Sequence, residues 1–124
     1  MQLVAADTRR VTVTPNATMT TLASPTLGSA GSSLWLVEMN PDATGPVHAF
    51  AEEVVWAITR GAATLHADGG ERLLGPGDTV VLPGGSMRQF DAGADGFTAI
   101  ATTSGTGHVT RADAGPAGTP PWVT

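Results

Sequence analysis

The chain has 124 residues, no Cys, and a formal net charge of −5, with six Arg, no Lys and eleven Asp and Glu. That length suffices for one compact domain with a core, spanning 1–124, and falls short of two. The acidic balance and the lack of a basic stripe exclude nucleic acid and anionic membranes as partners, the missing Cys excludes disulfides and thiolate chemistry, and no apolar run approaches the ~20 residues that span a bilayer.

In chain order, Met1 to Asp7 lacks the charged and apolar regions of a signal peptide, so a cytoplasmic location is the default expectation. The Arg-only, Ala- and Gly-rich usage is that of a high-GC bacterial genome, an association and not a physical argument. Val11 to Val13 is a brief, edge-like strand and Met19 to Leu22 a second. A Gly- and Ser-rich loop, Leu27 to Ser33, precedes a strand over Leu34 to Met39 with Trp35, Val37 and Met39 on one face. Pro41 to Pro46 is a turn region, and Val54 to Thr59 the most apolar strand. Ala62 to His66 runs into Asp68-Gly69, a hairpin signal, and Glu71 to Leu74 returns. Thr79 to Leu82 and Met87 to Phe90 are short strands flanking Pro83-Gly84-Gly85, and Phe97 to Thr102 is the last clear one. From about 104 the chain is an extended, Gly- and Pro-rich tail that wraps the rest. Many short strands, frequent turns and no helical period predict an all-β antiparallel sandwich or small barrel.

Two stretches carry a more specific signal. In the second, Gly77, Pro83 and Gly85 hold the spacing Gly, five residues, Pro, one residue, Gly, and Arg88 follows two residues later. In the first, His48 and Gly61 bracket Phe50, Glu52, Glu53 and Val54. This framework resembles the two signature motifs of the cupin superfamily, covering Gly45 to Arg88, about a third of the chain. The resemblance implies a cupin-like antiparallel β-barrel of the jelly-roll type. It also implies a ligand set of His, His, Glu and His, of which only His48 is retained. Phe50, Val54 and Arg88 stand at the other three positions, and Glu53 is one residue early. One His beside a guanidinium cannot hold a divalent ion tightly, so neither a metal nor another cofactor is expected.

On a regular strand His48, Phe50, Glu52, Trp56 and Ile58 share a face, which the resemblance points into the barrel. A turn between Phe50 and Val54 would exchange Glu52 for Glu53. The candidate catalytic residues are His48, as acid or base, and Arg88, as stabiliser of developing negative charge. The candidate ligand-binding residues are Phe50, Glu52, Trp56, Met87 and Arg88. Arg88 needs an anion, supplied either by Glu52 or Glu53 as a structural pair or by a ligand. Trp35, Trp122 and Val123 are packing or interface residues that would support a homodimer if exposed, and His66 and His108 are expected at the surface. The implied partner is a small molecule. Three readings stay open: a metal-independent isomerase or cyclase acting on an oxygenated aromatic or carboxylate-bearing metabolite, a non-catalytic binding or sensing module, and a metal-dependent oxygenase with atypical ligands.

Overall fold

A computed structural model describes residues 1–29, 31–104 and 107–124. Apart from two short 3₁₀ turns, at Ala6–Thr8 and Pro25–Leu27, its regular structure is all strand. The strands are β1 (Arg10–Val13), β2 (Ala17–Ala23), β3 (Ser32–Met39), β4 (His48–Phe50), β5 (Val54–Ala67), β6 (Gly70–Leu74), β7 (Thr79–Leu82), β8 (Arg88–Ser104), β9 (Val109–Arg111) and β10 (Gly115–Gly118). All pair antiparallel in one curled sheet ordered β1-β2-β3-β8-β4-β9-β10, and β5 joins β8 to β6 and β7. This is the jelly-roll barrel that the resemblance implied. No helix of the described residues is long and apolar enough to cross a membrane.

Two long strands form the spine. The runs expected separately as Val54 to Thr59 and Ala62 to His66 are one strand, β5, and those at Met87 to Phe90 and Phe97 to Thr102 are one strand, β8. Register shifts near Gly61 let the paired strands bend without ending. Gly61 (φ +77) and Gly96 (φ +72) face each other there, and a Cβ on Gly61 would collide with the Gly96 carbonyl. Only glycine tolerates both the backbone conformation and this approach. Asp68 (φ 54) and Gly69 (φ 73) form the expected two-residue hairpin between β5 and β6, both with the left-handed backbone that a primed turn requires.

The core lies on the inner face of this sheet. Trp35, Val37 and Met39 share one face of β3 as expected, and that face is the inner one, packed in one core with Val54, Trp56 and Ile58 of β5 and Phe90, Phe97, Ala99 and Ala101 of β8. Trp35 and Val123 are 1% and 2% exposed, and the half-buried Trp122 packs on the core. These three residues therefore do not supply the exposed apolar surface expected for a homodimer. Their alternation or chain-end position carried no information about what would cover them.

The tail holds more structure than its composition suggested. β9 and β10 form a hairpin, and β9 pairs with β4 at three positions, Val109 opposite Phe50, Thr110 opposite Ala49 and Arg111 opposite His48. The chain end is held by side-chain hydroxyls: Thr21 donates to the Trp122 carbonyl (2.8 Å), Thr26 to that of Thr124 (2.6 Å), and Ser33 to that of Val123.

Candidate functional site

The two motifs meet at one end of the barrel. β4 is only three residues long, and the chain turns away at Ala51 to Glu53 before β5 begins. The Gly85 amide donates to the Phe50 carbonyl at 2.8 Å, and a Cβ on Gly84 would strike the Ala51 carbonyl. The second motif's glycines are thus what lets its loop seat against the first motif. Across the strands His48 is paired with Arg88.

Inside lies a cavity of about 510 Å³, within the range of small-molecule pockets. Trp35, Val37, Met39, Phe50, Trp56, Phe90, Phe97 and Val109 form its walls, and Pro120, Pro121 and Trp122 of the tail line it as well. The aromatic rings are mutually packed, Trp56 on Phe90 at 4.4 Å between centroids and Trp35 on Phe50 at 6.0 Å. All three tryptophans of the chain border this space.

Few polar groups face it. His48 lines the cavity, with its Nδ1 2.9 Å from the Pro46 carbonyl. A carbonyl only accepts, so Nδ1 carries the proton and Nε2 keeps its lone pair. Burial holds the His48 pKa below its usual value; the Pro46 hydrogen bond opposes this, and Arg88 and Arg111 push further down. The neutral ring is therefore a base of defined tautomer. The Trp56 Nε1–H is buried with no acceptor. Arg111, at the mouth, is paired with Asp113 at 3.0 Å.

Arg88 sits beside the cavity but does not wall it. Only 1% of it is exposed, and none of its three guanidinium nitrogens has a hydrogen-bond partner. Its Cζ lies 5.6 Å from the centre of the Phe50 ring, within reach of a cation–π contact. No carboxylate among the described residues lies within ion-pair distance of it. Burial lowers its pKa to about 10, partly opposed by the charge of Asp68, so it stays a cation at neutral pH. The structural pair with Glu52 or Glu53 is not formed among the described residues; both acids lie in the non-strand segment between β4 and β5.

Of the residues singled out in the sequence, His48, Phe50 and Trp56 line one cavity and Arg88 packs behind Phe50. Glu52 is half-buried and accepts a hydrogen bond from the Gly107 amide at 3.2 Å, and Glu53 is exposed. Met87 is 41% exposed and borders an outer surface depression with His66, Asp68 and Ser86. β8 begins at its neighbour Arg88, which shares the buried face with Phe90 and Ala92, while Met87 lies in the loop just before the strand. His108 is exposed as expected, whereas His66 is half-buried and bonded to Asp91 at 2.7 Å. Trp35, Phe97 and Trp122 were not assigned to the site. The alternation of β3 could have found Trp35; nothing local marks Trp122.

The residues present do not fit a divalent cation. At the four motif positions stand one imidazole, a phenyl ring lying beneath a guanidinium, a fully buried Val54 and the guanidinium itself. Among the described residues no group of three or more His, Cys, Asp and Glu converges.

Solved structures share this architecture. KdgF from Halomonas sp. aligns with a TM-score of 0.71 at 20% identity, over 84% of this chain and 93% of that one. The polyketide cyclase RemF from Streptomyces resistomycificus aligns at 0.73 and 19% identity, over 84% and 79%. An RmlC-like cupin from Shewanella frigidimarina aligns at 0.72 and 17%, over 84% and 90%. At such identities the likeness shows the fold alone. No curated protein matches the chain in sequence. The family model described as the AraC-like ligand binding domain matches residues 37–112, from β3 through β9, the stretch that builds most of the cavity wall. The chain is a cupin and belongs to the AraC-like ligand-binding domain family.

Proposed function

We propose that the protein binds an oxygenated aromatic small molecule in the barrel cavity without a metal ion. The observation that carries this reading is the composition of the wall: large aromatic faces, with the His48 Nε2 lone pair, the Trp56 N–H and the Asn16 amide among its few polar groups. A polyol would leave most of its hydroxyls unpaired there, at a cost for each. A flat, mostly apolar compound gains by burial, and its hydroxyl and carbonyl oxygen would meet His48 and Trp56. The polyketide cyclase among the similar structures is compatible with such a ligand.

A second reading, proton transfer within the bound molecule, is favoured by the fixed tautomer of His48. Nε2 would take a proton from an acidic hydroxyl or C–H of the ligand and return it to another atom, the proton balance of an isomerisation or cyclisation. Arg88 would oppose the accumulation of positive charge on the imidazole and favour an enolate nearby.

Because every tryptophan borders the cavity, intrinsic fluorescence reports its occupancy. Titration with 2-naphthol and with 2-hydroxy-1,4-naphthoquinone is expected to quench saturably. Trp56→Phe should weaken binding about three- to tenfold, the worth of one net hydrogen bond. Absence of saturable binding by both probes, with the fold intact by circular dichroism, would reject the aromatic-ligand reading. Turnover lost in His48→Gln with binding retained would establish the catalytic one.

A further inference from the structure

We propose that Arg88 is the built-in counter-charge of a buried anion site beside Phe50, taking one carboxylate or a monoanion of similar size. The guanidinium is enclosed, and all three of its nitrogens lack an acceptor. An uncompensated charge in such a place is costly, and an ion-paired state is strongly favoured over it. The chain supplies no such pair from its described residues; Asp68, whose charge is felt at Arg88, is an exposed hairpin residue engaged by the Ser86 hydroxyl at 3.2 Å. What the guanidinium does contact is the Phe50 ring, and a π face is a weak substitute for a carboxylate.

Phe50 lines the cavity on one side and meets the guanidinium on the other, and His48, the strand partner of Arg88, lines that cavity too. An anion that reaches the guanidinium from the cavity has to displace the Phe50 ring. A planar carboxylate would then accept two parallel N–H bonds from the guanidinium fork. The anion has two sources with the same chemistry: a free small monoanion, or a carboxylate carried by the molecule in the cavity. The site does not require the aromatic-ligand reading; only its second source rests on it.

Four probes in two matched pairs test this: acetate against acetamide, and benzoate against benzamide, with sodium sulfate holding ionic strength constant. At about ten times Kd, a carboxylate probe is expected to raise Tm by about 3–8 °C, and its amide should not. Arg88→Met and Arg88→Gln should weaken the carboxylate roughly thirtyfold or more, the lower end of losses for a desolvated charge partner. Without anion, both variants should melt no lower than the parent, because an unpaired buried charge has been removed. A response to acetate identifies a free monoanion. A response to benzoate alone, with tryptophan quenching, identifies a carboxylate borne by the cavity ligand. The proposal is overturned if neither carboxylate acts, or if parent and variants respond equally. It is equally overturned if both variants melt well below the parent without anion, which would mean that the chain already pairs Arg88. The neutral 2-naphthol titration is blind to Arg88, so failure of the anion site and failure of the aromatic cavity give different results.

Discussion

His48 shows how one backbone carbonyl determines what a side chain can do. The Pro46 oxygen takes the Nδ1 proton, and burial keeps the ring neutral, leaving Nε2 as the acceptor toward the cavity. The same burial links this residue to stability. Its folded pKa is lowered, so the unfolded chain binds the proton more readily than the native one. The His48 contribution is complete above 6.5, the unperturbed value, and is lost as pH falls through the window between 6.5 and the lower folded value. His48→Gln should therefore flatten this part of the stability profile. Urea melts of parent and variant across that range check it; parallel profiles would count against a depressed His48 pKa. At the neighbouring position Arg88 meets a different outcome of burial. A guanidinium cannot shed its charge at neutral pH, so it must find a partner where the imidazole simply stays neutral.

At the scale of elements, the short strand β4 matters more than its length suggests. It carries His48 and Phe50, it shares a single residue pair with β8, and its other edge is covered by β9 from the tail. The same tail ends with Trp122 against the cavity and its last carbonyls on the hydroxyls of Thr21, Ser33 and Thr26. The tail is thus part of the site wall. Trp122→Ala should cost about 1–3 kcal/mol of stability, less than a fully buried Trp because the residue is half-exposed. It should also weaken naphthol binding about tenfold, as loss of a large aromatic contact does. Thermal melts and fluorescence titration on one preparation measure both, and unchanged affinity would separate the tail from the site.

At the scale of the whole molecule, the barrel and the usual metal site of its superfamily have come apart. The turn glycines, the long spine of β5 and β8 and the barrel cavity are present, while the four metal-ligand positions hold one usable donor. The protein purified without added metal is expected to carry fewer than about one divalent ion per several chains; stoichiometric iron, nickel, manganese or zinc by mass spectrometry, with His48 coordinated, would contradict it. The fold was legible in the chain itself. Asp68-Gly69 demands a primed turn, the Gly-Pro framework from Gly45 to Arg88 carries the superfamily spacing, and the alternation of Trp35, Val37 and Met39 puts the three on one face. These are local constraints of backbone conformation and side-chain period, and neighbours in sequence suffice to express them. The site was legible only in part. His48, Phe50 and Trp56, which strand parity puts on one face, line one cavity, but Glu52 lies in the non-strand segment 51–53, and Arg88 is buried at the start of β8 with Met87 exposed in the loop before it. Only the tertiary structure decided that Arg88 has no counter-ion among the described residues and that Trp122, far along the chain, lines the cavity. Both depend on contacts between segments distant in sequence, where packing of the whole barrel sets which charges meet and which surface is covered.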